Sequence, residues 1–231
     1  MGRPLHYSTD IPERCKDLLD LLLGHIEDDA NLLNKWGGPL RTTFLLSLAT
    51  PMVVLPIERI FKPVVQGRAG VANDAYVDAK LDDRIADVLG AGRCFERAPF
   101  FEGKAWRFVP EYPAFNVGAH WPAEVLDMLA TAKAEECART ADAADILLLL
   151  RNALAHGGIT YLDRNGRETE AATNMLGFAG WARSREALRI LRVSVGAFER
   201  FLREWADWIA QTGVAEELNH RGPGYFEKAA A

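Results

Sequence analysis

Apolar positions recur along most of this chain at the three- and four-residue spacing of amphipathic helices. Leu18, Leu19, Leu22, Leu23 and Ile26 form the first such stripe. Asp10, Pro12 and Glu13 ahead of it have the composition of a helix start, with Asp capping and Pro in the first turn. Gly37-Gly38-Pro39 then breaks the chain. Phe44 to Ile57 is the most apolar run, and Pro51 and Pro56 interrupt it. It is shorter than the roughly 20 residues that cross a bilayer, so it predicts a buried, proline-kinked helix with Glu58, Arg59 and Lys62 as its solvated end. Val77, Leu81, Ile85, Val88 and Leu89 make a further stripe, ending at Gly90-Ala91-Gly92. Pro122 opens a helix through Val125, Leu126 and Leu129; a polar run over 133–140 follows, and Asp142 starts the next helix. Leu188, Leu191, Val195, Phe198, Leu202, Trp205 and Ile209 alternate three and four apart, which predicts the seam of a last long packed helix. Arg185, Arg189 and Arg192 line another face of that helix, either as an electrostatic footprint or as a solvated surface.

Two stretches break the helical period. Residues 92–121 hold Phe95, Phe100, Phe101, Trp106, Phe108, Tyr112, Phe115 and Trp121 among three prolines, without sustained periodicity. This predicts an irregular insertion. It is either a lid or base-stacking platform with Arg93, Arg97, Lys104 and Arg107 interleaved, or a buttress whose rings are buried. Residues 158–180 carry a hairpin signal, with Asn165-Gly166 as the preferred pair for a two-residue type I′ turn and Arg164 and Arg167 beside it. The expected architecture is therefore mostly α. A single domain over 1–218 forms a bundle of four to six helices, with a small β-hairpin and the insertion, and 219–231 is a flexible tail.

At 231 residues and 49% hydrophobic, the chain can bury one sizeable core. A net charge of −5 and a pI near 5.6 argue against broad coating of nucleic acid and leave room for a local basic cleft. Cys15, Cys94 and Cys137 lack metal spacing, and the histidines lack an H-E-x-x-H pattern, so neither a disulfide framework nor a metal site is expected, and no cofactor. The charged N-terminus has no apolar signal core, which gives a cytoplasmic, non-membrane expectation.

The densest chemistry sits at the end of the greasiest helix. Ile146 to Leu150 run straight into Arg151 and Asn152, with His156 four residues on and Gly157-Gly158 closing the stretch. A helix with no polar face through its middle is buried on all sides, and polar groups at its end are costly to bury without partners. The glycines supply a left-handed stop and place His156 in the last turn. Asn152 and His156 share a face, whereas Arg151 lies well round from His156 on an ideal helix. Convergence of Arg151 and His156 needs a tightened or unwound last turn, or a second subunit. The plain alternative is that Arg and His face the negative helix end, for about 0.3–1 kcal/mol.

The hexapeptide Arg151-Asn-Ala-Leu-Ala-His156 resembles the R-x4-6-H motif of the HEPN superfamily, in which a polar residue, often Asn, follows the Arg. The apolar helix before it and the small residue after it fit as well. The resemblance implies a helical bundle and a metal-independent endoribonuclease, in which a ribose 2′-OH attacks its neighbouring phosphate to give a 2′,3′-cyclic phosphate and a free 5′-OH. His156 would move the proton, since an imidazole titrates near about pH 6.5. Arg151 would hold the scissile phosphate through its planar donors, and Asn152 would orient the imidazole or a phosphate oxygen. Arg164, Arg167, Arg185, Arg189 and Arg192 are the candidate RNA contacts. The resemblance further implies RNA as partner, a homodimer with a composite active site, and an antitoxin or nucleotidyltransferase partner in a toxin or defence system. The rival expectation is a non-catalytic HEPN-like module that binds a partner protein or nucleotide.

Overall fold

Two arginines assigned by spacing to a helix face, Arg189 and Arg192, stand on a β-strand. The computed structural model describes residues 7–61, 85–182 and 186–211. Its centre is a four-stranded antiparallel sheet of β1 (Trp106–Pro113), β2 (Ile159–Leu162), β3 (Met175–Trp181) and β4 (Ala187–Ser194), in the order β1-β4-β3-β2. Around it lie α1 (Tyr7–Asp28), α2 (Ala30–Trp36), α3 (Arg41–Ala49), α4 (Ala123–Leu129), α5 (Ala132–Thr140), α6 (Ala143–His156) and α7 (Val195–Gln211). The chain is mostly helical with a small sheet. The sheet is larger than the single hairpin expected, and the last helix starts at Val195 rather than before Leu188.

The misreading of β4 has a physical cause. A strand covered on both faces shows no alternation of apolar and polar residues, so a short apolar run cannot be told from a buried helix by period. On one face of β4, Leu191 and Val193 join Trp106, Phe108, Leu176 and Phe178 in the main core with α1, α3, α6 and α7. On the other, Leu188 and Ile190 join Val109, Leu162 and Ala179 in a second cluster beneath Trp121, Val125, Leu126 and Leu129. From Val195 the 3.6-residue period is real: Phe198, Phe201, Leu202, Trp205 and Ile209 are all buried.

The 92–121 stretch contributes an edge strand rather than an irregular insertion. Pro110 falls where the β1–β4 register shifts, between Val109 and Tyr112, the kind of position at which a strand tolerates proline. Its rings do not form a stacking platform. Phe95, Phe100 and Trp106 are buried to 1% or less and meet edge to face with Phe101, Phe201 and Trp205.

Arg41–Phe61 forms one long helical stretch, with α3 passing into π-helical turns at Thr50–Val54 and Ile57–Phe61. Pro51 lies in the first of those turns and Pro56 directly precedes the second; neither can donate to the preceding turn, and both crowd its carbonyls. Pro56 has no N–H for the Met52 carbonyl, and the buried Trp205 indole donates to that oxygen at 2.8 Å instead. Contrary to the expectation from the Phe44–Ile57 run, the helix is long and apolar enough to cross a membrane by length and composition. Of its most apolar window, 44% is buried inside the fold, and Leu45, Ala49, Met52, Val53 and Ile57 lie in the main core.

Helix α1 is already helical at Tyr7, so Asp10 and Pro12 sit inside it rather than at its start. Helix α5 is a separate element, capped by the Thr131 hydroxyl, which accepts from the Ala134 N–H. Val77, Leu81, Arg185 and the 212–231 segment, including the tail expected from 219, lie outside the described residues.

Candidate functional site

Helix α6 explains its own composition. Ile146, Leu147, Leu149, Leu150 and Ala153 are buried to 2% or less between the sheet and the helices of the main core. Gly157 adopts φ +73°, the left-handed conformation that ends a helix, and its N–H returns to the Ala153 carbonyl. Gly158 is required for a different reason. A Cβ there would overlap the Ala179 carbonyl oxygen, because Gly158 pairs closely with β3 and accepts from the Ala179 N–H at 2.8 Å. The helix therefore stops at a fixed point, and β2 begins at once.

Arg151 and Asn152 form a linked polar group on this helix. The Arg151 Nη1 donates to Asn152 Oδ1 at 2.7 Å, and Arg151 Nε lies against the carboxylate of Glu58. Arg151 is only 18% exposed at its side chain, so the ion pair is well sheltered. Asn152 packs over β3, where a Cβ at Gly180 would come within 3.4 Å of its own. Glu58 was expected to be part of a solvated helix end, yet it reaches from the second π-helical turn to Arg151. An arginine that interrupts a buried helix needs an acid, but spacing within one helix cannot say which distant acid supplies it.

His156 stands apart from this group. It is exposed in the last turn of α6, and no described residue hydrogen bonds to its ring. Asn152 was expected to orient the imidazole; its carbonyl oxygen faces Arg151 instead. The structure thus joins two of the three motif side chains and leaves the third open to solvent.

Comparison with protein-family models, curated proteins and solved structures found no match.

The remaining candidates are dispersed. Arg164 is exposed in the 163–167 turn, and Arg167 pairs with Asp127 on α4. Arg189 makes a half-buried ion pair with Asp145 at 2.9 Å, which ties β4 to the first turn of α6. Arg192 is 9% exposed and lies on the opposite face of the sheet from Arg189. Arg185 falls outside the described residues. The shared helical face for Arg185, Arg189 and Arg192 is thereby replaced by a strand that points Arg189 and Arg192 in opposite directions. The Asn165-Gly166 turn also differs from the type I′ expectation. Gly166 has φ +76°, but Asn165 does not have positive φ, and Asp163 Oδ1 accepts from the Asn165 and Arg167 N–H groups. The main partner of β2 is β3, beginning at Met175, with only a bridge at Glu168.

Glu168 closes this region over the second cluster. Its carboxylate accepts from Thr160 Oγ1 at 2.9 Å and the Trp121 N–H at 3.1 Å, and meets His120 Nδ1 at 2.9 Å. Burial pushes its pKa up, but the His120, Trp121 and Thr160 hydrogen bonds together hold it below the ordinary glutamate value. Among the described residues, no group of three or more His, Cys, Asp or Glu side chains is arranged to hold a metal ion.

Proposed function

We propose that this chain is a metal-independent endoribonuclease of HEPN type, acting through Arg151, Asn152 and His156. The observation that carries the reading is the end of α6. A sheltered Arg–Asn pair on a rigid helix is followed by a fixed stop that leaves an imidazole free in solvent. A solvent-facing imidazole has ring nitrogens that a substrate hydroxyl can reach, and a guanidinium held from two sides is already oriented for a phosphate oxygen. In this reading His156 takes the proton from the ribose 2′-OH as that oxygen attacks the adjacent phosphorus. The bond to the 5′-oxygen then breaks, leaving a 2′,3′-cyclic phosphate and a 5′-OH. The Arg151 guanidinium offsets the charge that builds on the phosphorane oxygens. One imidazole supplies either the base or the acid, so a homodimer that apposes two motifs completes the site. RNA is the substrate, the compartment is the cytoplasm, and Arg41–Phe61 serves as a core helix rather than a membrane span. An antitoxin or nucleotidyltransferase partner would fit a toxin or defence role.

A second reading, a non-catalytic HEPN-like module binding a partner protein or nucleotide, is favoured by the Glu58–Arg151 pair, because Glu58 occupies the cation that a phosphate would need.

The deciding experiment is cleavage of single-stranded RNA with EDTA present, so that a contaminating metal nuclease cannot contribute. His156→Ala should lower the rate by about 10²–10⁴-fold while the thermal midpoint stays near wild type, since an exposed helix-end residue opens no cavity. No cleavage by wild type under any such condition sinks the nuclease reading and leaves the binding module.

A further inference from the structure

Arg192 is a buried cation with no counterion among the described residues. It is 9% exposed on β4, and no described residue forms a hydrogen bond or ion pair with it. Its register partner across the β1–β4 ladder is Arg107, so two guanidinium stems rise from opposed positions on one face of the sheet. Like charges directly opposite on neighbouring strands repel. Arg107 is provided for: its Nη2 meets Glu135 of α5 at 2.9 Å, and its Nη1 donates to the carbonyls of Lys104 and Trp106. Arg192 is not.

Four carboxylates of the surrounding elements are engaged elsewhere. Glu135 is held by Arg107, and Asp127 by Arg167. Glu168 is taken by Thr160, Trp121 and His120, and Asp163 by the amides of its own turn. The backbone of that turn lies directly on Arg192: a Cβ at Gly166 would overlap Arg192 Nη1. On the other side of β4, the register partner of Arg192 is Gly177, which offers no side chain. Burial, and then repulsion from Arg107, hold the Arg192 guanidinium below its ordinary pKa. An arginine nevertheless stays charged at neutral pH, so among the described residues this half-desolvated charge has no partner of opposite sign. Buried charges in folded proteins are paired.

We propose that Arg192, with Arg107 beside it and the Gly166 turn over it, is a binding site for a phosphate group on the sheet face away from α6. A planar guanidinium with free donors matches a tetrahedral oxyanion in two-pronged geometry. One anion would supply the missing countercharge to Arg192 and relieve the cross-strand repulsion. The site is separate from Arg151 and His156, and it stands or falls independently of RNA cleavage.

The test is thermal unfolding of the full chain in inorganic phosphate against chloride at matched ionic strength, for wild type and Arg192→Met. Methionine fills much of the arginine stem's volume and removes the unpaired charge, so without phosphate its midpoint should equal or exceed that of wild type. Wild type should gain roughly 2–4 °C at about five times the dissociation constant, and Arg192→Met should gain nothing. Should that variant fail to fold, Arg192→Lys serves the same comparison, because it keeps the charge, loses the fork and should show a reduced gain. A short single-stranded DNA, which lacks the 2′-OH and cannot be cleaved by the proposed chemistry, distinguishes the source of the phosphate. An Arg192-dependent gain with DNA assigns it to a nucleic-acid strand, and a gain with inorganic phosphate alone assigns it to a terminal phosphate. No gain beyond chloride with either probe, or an equal gain in the Arg192 variants, overturns the proposal.

Discussion

Arg151 shows how one residue can be read correctly by type and incompletely by environment. Its place after a run of leucines marked it as a charge needing a partner, and the partners proved to be Asn152 beside it and Glu58 from a distant turn. The two uses of Arg151, structural ion pair and phosphate ligand, make opposite demands on a substitution. A lysine keeps the charge for Glu58 but has no planar fork to hold Asn152 and a phosphate oxygen together. Arg151→Lys should therefore reduce RNA cleavage by at least about tenfold, the rate equivalent of 1.36 kcal/mol. The urea midpoint should stay close to wild type. A variant that cleaves normally but unfolds much earlier would return Arg151 to a purely structural role. His156 was legible in a simpler way, because the glycines after it fix the helix end and so its exposure. Glu58 was not legible, since nothing local to residue 58 distinguishes a solvated acid from one that reaches across the fold.

At the level of elements, helices with a polar face were readable and the buried strand was not. The stripe of α7 was visible because one side of that helix meets water; the burial of β4 on both faces erased its period of two. The prolines of the apolar stretch predicted a disturbed helix, and the structure locates the disturbance in its π-helical turns. It also supplies a repair that spacing alone does not reveal. Trp205 of α7 donates to the Met52 carbonyl, the acceptor that Pro56 cannot serve. Phenylalanine at 205 would retain most of the ring packing and delete that donor. Trp205→Phe should cost about 1–3 kcal/mol, the penalty for leaving a buried acceptor without a partner, in addition to the smaller ring's lost contacts. Chemical denaturation monitored by far-UV circular dichroism measures it. A change below about 0.5 kcal/mol, the level of an ordinary surface substitution, would mean the carbonyl is satisfied another way.

For the whole molecule, composition set limits that the charge layout then refines. A net charge of −5 predicts repulsion of nucleic acid at long range, and the structure adds that several cations are neutralised locally. Arg41, Arg107, Arg139, Arg189, Arg200 and Arg203 all sit in ion pairs with acids of this chain. The mostly helical class was legible because helix periodicity dominates the chain. The sheet order was not, because β1 reaches β4 only across the whole span of α4, α5 and α6. This charge layout makes RNA binding a matter of few contacts. Each phosphate contact on a single strand contributes a slope of about −0.7 in log affinity against log salt. With Arg151 of each apposed motif as the main contacts and Arg192 as one more at most, the slope should lie between about −0.7 and −2.1. Fluorescence anisotropy of a labelled oligonucleotide, on a catalytically silent His156→Ala background and across a range of salt concentrations, gives the value directly. A slope steeper than about −2.8 would require four or more phosphate contacts, more than Arg151 and Arg192 account for.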